Sequence, residues 1–321
     1  MELFRLRLSN TNQEFITNTL AAIALGTALV GIAFASILTV VAQQEIGPNA
    51  TTFNRLGIAA IAFAGWNGVR FVSQIRTQPI PTLIYNWRDR SLLTIAGTSF
   101  AASLTLWAWS LTQTSVANST LLNNMMPIFT TLGAWLVLGQ KFSSRFVLGM
   151  MIAVCGAIAI GIEDLQGANS SVVGDGAALC AAMLAAVCLL SLEQLRLKFA
   201  TPVIMQWTCL IGSLGVLPII LLTQEPLFPQ SETGWLTVIS LAIVCQVIGQ
   251  GLLTYSLARF SSGFVAVSML AIPAIAAVLA IVIFAEKLSV ANWCAFGVVL
   301  SGVYLAISAR SRNIVGSLNH Q

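Results

Sequence analysis

The feature that most constrains this chain is a succession of apolar stretches. Each is roughly 20 residues long, the length that crosses a hydrocarbon core of about 30 Å as a helix. They fall at 18–42, 51–74, 92–113, 116–138, 146–162, 175–197, 203–223, 235–258, 262–285 and 290–309. Turn chemistry marks the joints: Gly47-Pro48-Asn49, Pro79 with Pro81, Ala200-Thr201-Pro202, and Glu225-Pro226 followed by Pro229. A backbone in lipid must satisfy its own hydrogen bonds, so stretches of this kind are helices. The expected fold is an all-α membrane protein with ten transmembrane helices. Composition agrees: 57% of residues are hydrophobic and 8% charged, whereas a soluble domain carries about 25% charged residues. A water-soluble enzyme is excluded. Arg5 and Arg7 precede the first stretch and Ala33-Phe34-Ala35 resembles a cleavage site, but the apolar run continues to Ala42. That is too long for a signal-peptide core, so it is read as a retained span.

Charge placement tests the count. With the N-terminus cytoplasmic, 13 of the 15 positive residues fall on the inner side, leaving only Arg55 and Lys287 towards the other. Glu45, Glu163, Asp164, Asp175, Glu225, Glu232 and Glu286 collect on that outer side. This is the bias of the positive-inside rule. It predicts an integral multi-pass protein of the cell (inner or plasma) membrane with both termini cytoplasmic.

Ten spans divide into two fives, and the chain carries an internal repeat. A shift of 146 residues aligns the third to fifth spans with the eighth to tenth without a gap. Ser110-Leu111 then meets Ser256-Leu257, Ser115 meets Ser261, Pro127 meets Pro273, Lys141 meets Lys287, Ser143 meets Ser289 and Gly156 meets Gly302. An odd number of spans per copy turns the second copy upside down, which gives a 5+5 inverted-topology repeat. The expected units are a cytoplasmic segment 1–17, a first repeat 18–162, an outward linker 163–174, a second repeat 175–309 and a cytoplasmic tail 310–321.

At these residues each half resembles an EamA domain of the drug/metabolite transporter superfamily. The resemblance rests on Ser115–Gly156, with Pro127 and the Gly139–Ser143 end GQKFS, and on Ser261–Gly302, with Pro273 and AEKLS at Ala285–Ser289. Arg55 near the start of the second span is similar too. Gln140 departs from the pattern, which usually has an acid there; the second half keeps it as Glu286. The resemblance implies a central cavity lined chiefly by the third, fourth, eighth and ninth spans, and export of small metabolites.

Ionisable groups in the spans are few, and such groups are functional candidates by default. Arg55 has two readings: attraction of a carboxylate, or a structural role snorkelling to headgroups or capping a helix. Glu193 stands three residues before Arg196 on one helix face, which favours an intrahelical pair over a proton-coupling acid. Uncharged polar residues say more. Ser119, Thr120, Asn123 and Asn124 precede Pro127; Gln246, Gln250 and Thr254 recur every four residues; Ser99, Ser103 and Trp107 do the same. Such groups either glue helices together or line a wet cavity, and three stripes on three spans favour the cavity. Ser103, Trp107, Asn123, Asn124, Gln246, Gln250 and Tyr255 are the substrate-binding candidates. Pro127 and Pro273 interrupt helical bonding at equivalent points, as static kinks or as hinges. Gly149, Ala153, Gly156, Gly297 and Gly302 permit close helix contact, within the fold or across a homodimer.

Amides donate and accept hydrogen bonds and an indole offers an apolar face with one N–H. This chemistry suits a neutral or zwitterionic solute better than a phosphorylated one. The lone histidine, His320, is next to last; the six cysteines stand in apolar runs without a CxxC pair; and no nucleotide-binding loop or HExxH occurs. No metal, cofactor or nucleic-acid partner is expected, and the partners are a small solute and the bilayer. The expected function is a secondary exporter of small polar or amphipathic metabolites, amino acids first, working by alternating access. The alternatives are a broad drug-efflux carrier, a non-transporting membrane receptor or scaffold, or a channel.

Overall fold

The computed structural model describes residues 2–75, 86–114, 116–163, 171–275, 278–279 and 290–318. Ser115, Pro79 with Pro81, most of the 163–174 linker, Glu286, Lys287, Ser289 and His320 lie outside them. The first half runs α1 (Glu2–Ala33), α2 (Ala35–Ala42), α3 (Pro48–Ile75), α4 (Trp87–Gln113), α5 (Val116–Asn123), α6 (Met126–Leu138) and α7 (Ser144–Glu163). The second half runs α8 (Val172–Arg196), α9 (Thr201–Thr223), α10 (Glu232–Ser240), a π-helical stretch (Leu241–Gln250), α11 (Gly251–Ser256), α12 (Ser262–Met269) and α13 (Val290–Leu318).

Among the described residues, five stretches are long and apolar enough to cross a bilayer: Ile16–Ala42, Trp87–Gln113, Val172–Arg196, Thr201–Thr223 and Glu232–Ser256. Met126–Leu138, Ser144–Ala159, Ser262–Ile275 and Trp293–Ala306 are shorter apolar helices. The molecule turns its large apolar residues outward, including Ile61, Trp66, Leu136, Leu222 and Tyr304, while alanines such as Ala96, Ala181, Ala242 and Ala306 fill the interior. A bilayer solvates the former, and small residues let backbones approach closely.

The repeat is visible in three dimensions. Helix is lost at Asn124-Met125, ahead of Pro127, and again at Leu270-Ala271, ahead of Pro273. Proline has no N–H to return to the preceding turn, so each break is bridged by tight three-residue bonds, from Met125 N to Leu122 O and from Leu270 N to Val267 O. Ser110 Oγ donates to Trp107 O and Ser256 Oγ to Leu253 O, both at three residues' reach. Packing repeats as well: α4 lies against α8 and α9, as the α10–α11 stretch lies against α1 and α3.

Where α7 meets α13, the two copies touch themselves. A Cβ on Gly156 would stand 2.7 Å from Val299 N, and one on Gly302 would stand 2.4 Å from Ala153 N. Those two contacts are the same contact in the two copies. Gly149 closes against Ala306 in the same crossing, whereas Gly297 has open space around it. Most of the small residues are thus consumed inside the chain.

Candidate functional site

Between the halves lies a cavity of about 190 Å³. Its lining draws on the third, fourth, eighth and ninth spans, and also on Ser36 of α2, Arg55 of α3 and Leu189 and Leu192 of α8. The α8 contribution is a wholly apolar face, and no polar periodicity in the sequence could have announced it.

The two walls occupy equivalent positions. From the first half come Leu104, Trp107, Thr120, Asn123, Asn124 and Pro127. At the same register, 146 residues on, the second half supplies Gln250, Leu253, Ala266, Met269, Leu270 and Pro273. The first wall is mainly amide, hydroxyl and indole, and the second is hydrocarbon and thioether apart from Gln250. Two of its polar atoms, Trp107 Nε1 and Asn123 Oδ1, are buried and have no hydrogen-bond partner among the described residues. A buried polar group left unpaired costs about 1–3 kcal/mol, and such groups are uncommon in settled interiors.

The remaining candidates divide. Ser103 reaches the cavity, and its Oγ also donates to Ala181 O at 2.8 Å, tying α4 to α8. Its counterpart Gly249 packs instead against Gly31 of α1. Ser99 bonds back to Ile95 O. The Gln246–Gln250–Thr254 stripe does not stay together. Residues 241–250 are wound as a π-helix that gives way to α11 ahead of Thr254, so the three side chains do not share one uniformly wound helix. Gln246 is fully buried and turns to Arg55 and Cys209; Thr254 is fully buried and donates to Met205 Sδ; only Gln250 lines the cavity. Tyr255 is 41% exposed and does not line the cavity.

Arg55 neither snorkels nor caps a helix. It is 5% exposed, its Nε donates to Gln246 Oε1 at 3.0 Å, and it contributes to the cavity wall. Among the described residues no carboxylate pairs with it. Glu193 also departs from expectation, because it does not pair with Arg196. Its carboxylate accepts from Gln140 Nε2 at 2.9 Å and from Ser262 N at 3.1 Å, joining α8 to the end of α6 and the start of α12. Gly139, at φ +64°, ends α6 in the left-handed turn that sets up Gln140. Arg196 instead donates to the carbonyls of Thr254 and Phe199. An amide at 140 fits this carboxylate; an acid there would repel it.

The opposite end of the molecule is also clasped. Glu225 accepts from Asn49 Nδ2 at 2.5 Å and Ala50 N at 3.0 Å, and Asn54 Nδ2 donates to Leu227 O. Glu45 accepts from the Ser231 hydroxyl and N–H. Those donors, the hydroxyl foremost, hold its carboxyl below the ordinary glutamate value. Side chains thus cross between the halves in two separate places. Cys188, Cys209 and Cys245 are buried and Cys155, Cys180 and Cys294 exposed, all of them free.

Comparison with known proteins agrees with this architecture. A solved structure described only as "Crystal structure of protein" superposes with a TM-score of 0.74 at 19% identity, covering 90% of this chain and 98% of that one. It shares the fold. No curated protein matches the chain. The EamA-like transporter family matches twice, over residues 19–162 and 172–308, close to the two halves separated above. The chain therefore belongs to the EamA-like transporter family, within the drug/metabolite transporter superfamily, and is an integral membrane protein.

Proposed function

We propose that the protein is a secondary exporter of small amphipathic metabolites, amino acids foremost, with ten spans arranged as two inverted five-helix halves. The halves rock about the cavity so that it opens to one side of the membrane at a time, with Pro127 and Pro273 as the flexing points. Both termini face the cytoplasm of the cell membrane. No covalent step is required.

The observation that carries this reading is a cavity lined by equivalent residues of both halves, in a molecule whose halves are also tied by side-chain hydrogen bonds. Midplane sites at a repeat interface are the architecture of alternating-access carriers. Its size favours one small solute over a drug, since pockets for drug-sized ligands run to about 300–1,000 Å³. Drug efflux draws support from the Trp107, Phe100 and Met269 surfaces in the lining, and loses it on volume.

The test is transport by the purified protein in proteoliposomes. A panel of labelled amino acids, with and without a pH gradient, should give saturable counterflow for a subset of apolar members. Absence of flux for every solute, including cationic dyes, would favour a receptor or scaffold. Dye flux without amino-acid flux would favour drug efflux, and turnover far above carrier rates a channel.

A further inference from the structure

Resting on that carrier reading, we propose that Arg55 is the carboxylate anchor of the cavity. The solute lies across the cavity, with its charged end on the first-half wall and an apolar side chain against the second-half wall.

The argument begins with charge. A guanidinium buried to 5% exposure is expensive unless it is paired. Its Nε is held by Gln246, which is itself fully buried. The titratable groups near it are the thiols of Cys209 and Cys245, and among the described residues no carboxylate pairs with it. The site is therefore one negative charge short. Gln246 fixes the plane of the guanidinium and leaves the Nη donors, whose fork geometry matches a carboxylate.

The unpaired atoms supply the rest. Trp107 Nε1 is a donor and Asn123 Oδ1 an acceptor, both buried, both without partners among the described residues, and both on residues that line the cavity. A carboxylate oxygen suits the indole N–H, and an ammonium suits the amide oxygen. The equivalents of Trp107, Asn123 and Asn124 in the other copy are Leu253, Met269 and Leu270, which offer only hydrocarbon and thioether. A solute that satisfies both walls carries one carboxylate, one amino group and an apolar side chain. A second carboxylate or a phosphate has no further cation among the lining residues, and a simple cation meets Arg55 and is repelled.

Four probes that share the isobutyl side chain of leucine test this: leucine, 4-methylpentanoate, leucinamide and isopentylamine, each assayed by binding to the purified full chain and by counterflow in proteoliposomes. Leucine and 4-methylpentanoate should bind roughly tenfold or more tightly than leucinamide and isopentylamine, reflecting the lost charge-assisted bonds. Arg55→Met should erase that acid-over-amide ratio. Arg55→Lys, which keeps the charge and loses the fork, should retain part of it. Asn123→Met should weaken leucine and spare 4-methylpentanoate. The readout is a ratio between probes, which a mere loss of folded protein does not change, and each variant is checked for monodisperse elution. Equal binding of acid and amide by the unaltered protein, or an intact ratio in Arg55→Met, overturns the anchor. If leucinamide or isopentylamine is carried as fast as the acids, the carrier stands and the anchor falls. If no probe binds or moves, the anchor falls, while the carrier reading is decided by the wider amino-acid panel.

Discussion

The two copies of the repeat keep one region alike and let another diverge. At the α7–α13 crossing, Gly156 against Val299 and Gly302 against Ala153 are the same contact made twice. Around the cavity, Trp107, Asn123 and Asn124 face Leu253, Met269 and Leu270 from the same register. The difference lies in what each residue touches. At the crossing a copy meets its own counterpart backbone to backbone, and there is room for nothing larger than hydrogen. At the cavity each copy faces open space rather than its twin, so the two walls can differ, one offering hydrogen bonds and one hydrocarbon.

This comparison can be broken most severely at the crossing. Gly302→Leu should destabilise the protein by roughly 3 kcal/mol or more, since the neighbour in the way is backbone that cannot swing aside. Gly156→Leu should match it; a large inequality between the two, measured by thermal unfolding in detergent, would show that the contacts are not equivalent. Next in size are the walls. Asn123→Met should lower leucine counterflow about tenfold, whereas Met269→Asn should cost less and shift preference towards shorter side chains. Equal effects from both would mean that the walls share one task.

Smaller effects are expected at the clasps. Gln140→Glu sets a second carboxylate against Glu193, so one of the pair titrates high. The variant should lose about 1 kcal/mol at pH 8 and recover most of it only once pH falls to about 4, below the ordinary glutamate value, as read from unfolding midpoints. Least of all is Glu45. Its folded carboxyl titrates below the ordinary value because Ser231 donates to it, so the tie contributes above the unfolded pKa and is lost as pH falls through the folded one. Glu45→Gln should remove any stability difference that the tie makes between pH 6 and pH 3, leaving transport at pH 7 nearly unchanged.

Helix positions were legible because bilayer thickness sets their length, and the repeat because Pro127 and Pro273 break their helices at matching points. The cavity was legible only on its polar side. Trp107, Asn123 and Asn124 announce themselves in an apolar run; Leu189, Leu192, Leu253 and Leu270 do not, because an apolar residue facing a cavity has the same composition as one facing lipid. The stripe of Gln246, Gln250 and Thr254 misled for a different reason. A polar spacing does not say which neighbour each side chain meets: Gln246 and Thr254 turn to Cys209 and Met205 of α9, and of the three Gln250 lines the cavity. Tyr255 was placed in the lining and stands outside it. Arg55 could be located in its span but not assigned a direction, since its partner Gln246 is 191 positions away.

The glycine crossing has a consequence for how such a chain can change over time. A duplicated segment drifts freely wherever its copies look outward at different things. Where the copies look at each other, a change in one is felt at once by its twin, and both must accommodate it together. That seam therefore leaves little room for a change in one copy alone, while the cavity walls are free to differ between the halves, as they do at Trp107 and Leu253.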